Sequence, residues 1–445
     1  MWAENAVFYQ IYPLGLLDAP RRNEANPEDD QDKNIEPVNR IKNLTPWLGH
    51  IKKLGADALY LCPVFESDSH GYDTRDFLKI DNRLGSNQDF KEFCRACHEN
   101  NMKIVLDGVF HHVGRNFWAF RDVRKNQRDS RYKDWFHVNF YGDSAYHDGF
   151  YYEGWEGHYE LVKLNLRNPE VKNYILDCIK FWVDEFDIDG LRLDVAYSLE
   201  PDFLRELRRF ANNIKPEFYL IGETLHGDYN RWVSDEFLHS CTNYECYKGL
   251  YSSFNSRNMF EIIHSLKRQF GPEYWTLYKN KHLLCFVDNH DVTRVASILK
   301  NAKHLNLIYG LLFAMPGIPC IYYGSEWGCK GKKQNGDDAL RPAFENPEWN
   351  DLTDIISKMA KAHKNSRALC HGDFQDLCLT NLQTVFRRRV DGETVLAAVN
   401  CDENAYFARF DAGCGQAVDL LSGKKINFTG GCELPPYSVM YLRCQ

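Results

Sequence analysis

Short runs of apolar, β-branched and aromatic residues recur along the chain. Each is followed by a polar loop and then by a stretch whose apolar positions repeat every three or four residues. Such a run bounded by turn signals reads as a buried strand, and the three-to-four spacing reads as an amphipathic helix. The strands predicted this way are Ala6–Tyr12 (AVFYQIY), Ala58–Cys62 (ALYLC), Lys103–Val109 (KIVLDGV), Gly190–Leu193 (GLRL), Phe218–Ile221 (FYLI), Ser240–Tyr244 (SCTNY), Leu283–Val287 (LLCFV) and Ile318–Tyr322 (IPCIY). Helical segments such as FKEFCRACHEN, VKNYILDCIKFWVDEF and DFLRELRRFANNI lie between them. Strands alternating with helices need crossover connections, and crossovers give a parallel sheet. Eight such repeats predict an α/β fold of the TIM (β/α)8 barrel type, with a doubly wound open sheet as the alternative.

The predicted barrel takes up residues 1–112 and 170–369. The connection at 113–169 is too long for a plain barrel loop and is aromatic and glycine-containing (YGDSAYHDGFYYEGWEGHYE), which predicts an inserted subdomain after the third strand. A charged stretch from Leu16 to Leu44, rich in Asn, Asp and Glu, reads as a surface excursion after the first strand. From about Cys370 the pattern changes to short alternating strands with turn signals (TVFRRRVDGETVLAAVN, AVDLLSGKKI, YSVMYLRC). This predicts a C-terminal antiparallel β-sandwich domain over 370–445.

Charge narrows the partners. A net charge of −8 leaves no broad excess of Lys and Arg to neutralise phosphates, so a nucleic-acid partner is not expected and a neutral substrate fits better. Aromatic residues make up 14% of the chain, enough either to stack on sugar rings or simply to fill a large core. The opening MWAENAVFYQIYP lacks a basic region followed by an apolar run, and no stretch approaches the ~18–20 apolar residues of a membrane span. A cytoplasmic protein without a membrane partner is expected. The fifteen cysteines, an odd number, lie largely inside apolar segments, which fits a reduced compartment. Cys94 and Cys97 form a C-x-x-C within a helical pattern and without a second pair, so helix packing is expected of them.

In a TIM barrel the chemistry sits at the C-terminal ends of the strands. Here these ends run into SHGYDT (Ser69–Thr74), LDGVFHH (Leu106–His112), GLRLDVAYS (Gly190–Ser198), IGETLH (Ile221–His226) and FVDNHD (Phe286–Asp291). Taken singly, each could cap a helix or line a solvated loop. Five acidic or histidine sites at equivalent barrel positions predict an active site. Arg192 precedes Asp194 by two residues, so period-two alternation points both to the same side of their strand.

These segments resemble the α-amylase family, glycoside hydrolase family 13, in order and spacing. The resemblance rests on D-x-x-x-x-H, G-x-R-x-D, the Glu after the fifth strand and N-H-D together, with HGYDT, YYGSEWG and LPPYSV as further similarities. It implies Asp194 as nucleophile, Glu223 as general acid/base and Asp291 as a third carboxylate acting on the transition state. It also implies that Arg192 holds the nucleophile ionised and that His112 and His290 bond the sugar being cleaved. By the same resemblance Asp107 is a supporting carboxylate, Tyr72 the platform under that sugar, and Asp337 with Arg341 the grip on the next sugar. No metal or organic cofactor is required. His111 stands where many relatives have a calcium-binding Asn, and its imidazole is a poor ligand for a hard cation. A structural calcium, if one binds, is expected elsewhere than the usual family site.

The implied activity is retaining hydrolysis of α-glucosidic bonds, mainly α-1,4, in maltodextrins, cyclodextrins or related α-glucans. The alternatives are an α-glucanotransferase, an α-glucosidase of other linkage specificity, and a non-catalytic carbohydrate-binding barrel. ELVKLNLRNPEV (Glu160–Val171) resembles a segment of the neopullulanase, cyclomaltodextrinase and maltogenic amylase group, with Val162 in place of Pro. That group carries an N-terminal β domain that helps dimerisation. The first predicted strand here begins within ten residues of the start, so that domain is expected to be lacking and the protein to be a monomer or weak homo-oligomer. Tyr197 and Ser198 depart from the group's V-A-N-E. Trp155, with Gly154 and Gly157 on either side, is expected to contact substrate from the insert, the other reading being an anchor of the insert onto the barrel.

Overall fold

A computed structural model describes residues 1–24 and 36–445; residues 25–35, within the excursion predicted between Leu16 and Leu44, lie outside the described residues. Each of the eight predicted strands contributes to one sheet: β1 (Phe8–Ile11), β2 (Ala58–Leu61), β3 (Lys103–Gly108), β4 (Gly190–Leu193), β5 (Tyr219–Gly222), β6 (Ser240–Cys241), β7 (Leu284–Phe286) and β8 (Ile318–Tyr322). They run parallel in the order β6-β5-β4-β3-β2-β1-β8-β7. A parallel bridge between Thr242 and Leu284 and a 2.8 Å bond from the Asn243 N–H to the Leu284 carbonyl join the two edges, so the sheet closes into a barrel. Apart from Lys103 at the start of β3 the strands are buried, as a parallel sheet with both faces covered requires.

The sixth strand is shorter than its pattern predicts. Asn243 leaves the strand and caps helix Tyr244–Ser256 by accepting the Cys246 N–H, so the end of SCTNY belongs to the turn. Helix Asn87–Glu99 starts on a Ser86–Asp89 capping box and buries Phe90, Phe93, Cys94 and Cys97, which places the C-x-x-C on its packed face. Helix Pro169–Phe186 starts on an Asn168 cap with proline in its first turn. It buries Val171, Ile175, Cys178, Ile179, Trp182 and Phe186 at helical spacing.

Between β3 and that helix the chain builds a small sheet at the C-terminal end of the barrel. His112–Gly114 pairs antiparallel with His158–Lys163, which pairs with Gly154–Trp155. The turn between Trp155 and His158 has positive φ at both Glu156 (48°) and Gly157 (88°), as a two-residue type I′ hairpin demands. The C-terminal segment folds into a six-stranded antiparallel sheet with Glu393–Asn400 and Ser438–Cys444 near its middle, and a two-stranded sheet, Tyr406–Arg409 with Gly431–Leu434. Val385, Leu396, Ala398, Ala408, Cys432 and Leu434, drawn from both sheets, form a core of their own. Among the described residues no helix is long and apolar enough to cross a membrane.

Candidate active site

Strand register puts Arg192 of β4 opposite Asp107 of β3 on one side and Ile221 of β5 on the other. Arg192 is only 2% exposed; its guanidinium donates from Nη1 to Asp107 Oδ1 (2.8 Å) and Asp194 Oδ1 (2.9 Å), and its Nη2 forms an ion pair with Glu223 Oε1 at 2.8 Å. One buried cation thus joins carboxylates carried by three neighbouring strands. The fork geometry of arginine permits this; a lysine ammonium would not span them.

The turn after Asp194 adds a second tie. Val195 sits at φ 40°, a left-handed conformation that a β-branched side chain rarely adopts, and its N–H donates to Glu223 Oε2 at 3.0 Å. Both oxygens of Glu223 are therefore held. Gly222, just before Glu223, lets this turn approach: a Cβ there would lie 2.4 Å from Leu238 Cδ1 and 2.9 Å from Ala196 Cβ. Burial raises the pKa of both Asp194 and Glu223; Arg192 opposes the rise in each, and neighbouring carboxylates reinforce it. The pair consequently holds a proton more tightly than isolated carboxyls would.

Asp291 faces them from the loop after β7, with a third of its side chain open. Its Oδ2 is 3.0 Å from His290 Nε2, and its Oδ1 accepts from Arg341 Nη2 at 3.0 Å. Burial would raise the Asp291 pKa, but His290, Arg341 and Arg192 hold it well below the usual carboxylate range. Burial would likewise keep His290 neutral, yet the Asp291 carboxylate lifts its pKa to about 10. The Asp291 carboxyl is thus pushed down while those of Asp194 and Glu223 are pushed up, and such divergence between neighbouring titratable groups separates chemical roles.

The carboxylates open onto a cavity of about 620 Å³ whose lining includes Tyr72, His112, Trp155, Asp194, Glu223 and Asp291. Asp337 and Arg341 line it too; Arg341 Nη2 is 3.4 Å from Asp337 Oδ2, and Lys333 Nζ is 2.5 Å from Asp337 Oδ1. Asp107, Arg192 and His290, each at most 2% exposed, lie behind this wall. Tyr72 covers His290 with its ring stacked at 5.8 Å, and its hydroxyl donates to Asp107 Oδ2 at 3.0 Å. His112 is buried, which pushes its pKa well down. Its Nε2 has no hydrogen-bond partner and stands 3.9 Å from Asp194 Oδ2. Trp155 is half-buried, with its ring centroid 6.1 Å from that of His112.

Several site residues escaped the sequence reading. Gln10 brings its amide within 2.8 Å of His290 Nδ1, Tyr12 stacks on His290 at 6.3 Å and lies under the Arg341 guanidinium, and the Tyr60 hydroxyl donates to Asp107 Oδ2 at 3.2 Å. A signal existed: Gln10 and Tyr12, and Tyr60 with Cys62, occupy alternate positions of apolar runs, and a polar group at an inward strand position needs a partner. For metals, Cys62, Asp107 and His290 cluster in this region, but Asp107 is engaged by Arg192 and His290 by Asp291. The buried His111 ring packs against His112, with their Nδ1 atoms 3.3 Å apart.

A parallel barrel with two adjacent carboxyls and a third facing them around one cavity is an arrangement suited to cleaving glycosidic bonds. The profile described as "Alpha amylase, catalytic domain" matches residues 27–371, and the chain belongs to the α-amylase family. It is a glycoside hydrolase. It is 30% identical over 472 residues to a cyclomaltodextrinase of Geobacillus thermopakistaniensis, covering 99% of this chain and 77% of that one. With neopullulanase 2 of Thermoactinomyces vulgaris it shares 30% identity over 475 residues, 99% of this chain and 78% of the relative. The structure of the cyclic α-maltosyl-(1→6)-maltose hydrolase from Arthrobacter globiformis superposes with a TM-score of 0.81 at 27% identity, covering 100% of both chains.

Proposed function

We propose that the protein hydrolyses α-1,4-glucosidic bonds of malto-oligosaccharides, cyclodextrins or related α-glucans through a covalent glycosyl-enzyme intermediate. The observation that carries this reading is the single Arg192 guanidinium bridging Asp194 and Glu223. A bridge of that kind confines two carboxylates to a short separation, and a retaining pair works at about 5–5.5 Å. Asp194 attacks the anomeric carbon while Glu223 gives its proton to the departing glycosidic oxygen. Glu223 then takes a proton from the water that releases the sugar. As positive charge develops on the sugar ring, the ionised Asp291 stabilises it, the cavity being a setting in which charge is poorly screened.

His112 supports the same reading. A buried ring nitrogen without a partner, next to the nucleophile, is the kind of donor a sugar hydroxyl satisfies. Trp155 and Tyr72 line the same cavity and offer aromatic faces for sugar rings, and Arg341 with Asp337, also in the lining, offers polar groups for a further sugar. The relatives' names, cyclomaltodextrinase and neopullulanase, favour α-glucan substrates. A relative named intracellular maltogenic amylase, from Bacillus subtilis, favours action inside the cell.

The test combines substrates and variants. Incubation with maltotriose, β-cyclodextrin, pullulan, isomaltose and sucrose should release glucose and maltose from the first two and leave sucrose intact. Asp194→Asn should lose several orders of magnitude in turnover on every substrate. Glu223→Gln should be partly rescued on an aryl glycoside whose leaving group needs no proton. Near-normal activity of either variant on maltotriose would overturn the assignment.

A further inference from the structure

A second cluster of chemically capable side chains lies at the opposite end of the barrel from the cleft. Glu4 belongs to the 3-10 turn Trp2–Asn5 that precedes β1, His282 lies two residues before β7, and His371 ends the helix Arg367–His371. Residues that precede barrel strands gather on the floor, whereas Asp194, Glu223 and Asp291 follow theirs. One potential ligand atom from each of the three lies within 4.8 Å of those of the other two. The imidazole rings of His282 and His371 meet edge-on at 5.2 Å and 74°. His282 Nδ1 is buried and has no hydrogen-bond partner, a condition that calls for explanation in a native protein. His282 and His371 also line a cavity of about 490 Å³ on this face.

We propose that Glu4, His282 and His371 form a binding site for a divalent transition-type cation, zinc by preference, on the barrel floor. Two imidazoles and one carboxylate are a donor set for zinc and its neighbours, not for calcium or magnesium, which take oxygen ligands. Zinc bonds of about 2.0–2.1 Å require ligand atoms closer together than the limit the triad satisfies now, so the three draw inward on binding. Glu4 is half-buried and His371 exposed, so neither is locked in the core.

The surroundings fit an oriented site. Asn5 Oδ1 lies 2.7 Å from His371 Nε2 and fixes that ring from outside, the way ligating histidines are usually held. Glu4 Oε2 forms an ion pair with the Met1 ammonium at 3.2 Å, a contact that leaves the other carboxylate oxygen for a cation. Three protein ligands leave a fourth position for water. The bound ion links the segment before β1, the approach to β7 and the helix that leads into the C-terminal strands. These segments are distant in sequence, so the link restrains the unfolded chain over long loops and stabilises the native state.

Untagged full-length protein, stripped with a chelator and dialysed, is titrated with cobalt(II) and with zinc(II) while absorption and thermal unfolding are followed. The expected result is one equivalent bound, visible cobalt bands without the charge-transfer band of a thiolate, and a melting temperature that rises with free zinc. Glu4→Gln and the double variant His282→Gln/His371→Gln should each bind at least about tenfold more weakly. Maltotriose turnover per folded molecule should be unchanged. Absence of stoichiometric binding to the wild type, a cobalt–thiolate band, or undiminished affinity in Glu4→Gln would overturn the proposal. The wild-type titration decides even if the double variant fails to fold.

Discussion

Arg192→Met is the most informative perturbation of the candidate site. Methionine keeps much of the side-chain volume and removes the charge that now meets Asp107, Asp194 and Glu223 at 2.8–2.9 Å. At an effective dielectric constant near 20, each such contact carries roughly 5–6 kcal/mol of gross Coulomb energy. Desolvation of the arginine offsets much of that, and breaking a buried pair costs about 3–5 kcal/mol net. The variant escapes part of the loss by taking up protons, because carboxyls already raised by burial then lack their opposing cation. In the folded variant Asp194 and Glu223 keep their protons to higher pH than in the unfolded chain, so its stability falls as pH rises through their raised folded pKa values. Chemical denaturation at pH 5 and pH 8 measures this. The deficit against wild type should be several kcal/mol at pH 8 and clearly smaller at pH 5, with turnover lost at both. A variant within about 1 kcal/mol of wild type at both pH values would refute the view that Arg192 compensates these carboxylates.

Four further outcomes are expected. Trp155→Ala removes a half-buried ring from the cleft wall, so it should change the product pattern from longer oligosaccharides and cost far less than the about 3–5 kcal/mol of a buried aromatic truncation; product chromatography with a melting curve checks both. The His290–Asp291 pair contributes stability through a raised His290 pKa, present in full below about 6.5 and lost as pH climbs through about 10; the fall in wild-type melting temperature between pH 7 and pH 10 should therefore shrink in His290→Gln. Gly222→Ala places a methyl group 2.9 Å from Ala196 Cβ, so it should lower kcat severalfold by displacing Glu223 or the Asp194 turn, with about 1–3 kcal/mol lost from overpacking; steady-state kinetics and denaturant titration separate the two. Turnover should survive a chelator, since the carboxylate chemistry uses no metal; complete, calcium-reversible loss of turnover in EDTA would contradict this.

The chain's local pattern determined much of this protein. Apolar runs and their spacing located all eight barrel strands, because burial on both faces and side-chain periodicity are written residue by residue; polar clusters at the strand ends marked candidate segments, within which the family resemblance singled out Asp194, Glu223 and Asp291. The end of β6 departs from its apolar pattern because Asn243 serves as a helix cap, a role chosen by the backbone groups it meets and not by its apolar neighbours. Other features existed only once the barrel had closed. That Arg192 would bridge three carboxylates, that Gln10 would reach His290 across 280 positions of sequence, and that Glu4, His282 and His371 would meet on the floor all depend on strand register and closure. Contacts between distant segments follow from how strands pair and loops turn, and no local pattern of hydrophobic and polar residues encodes that geometry by itself.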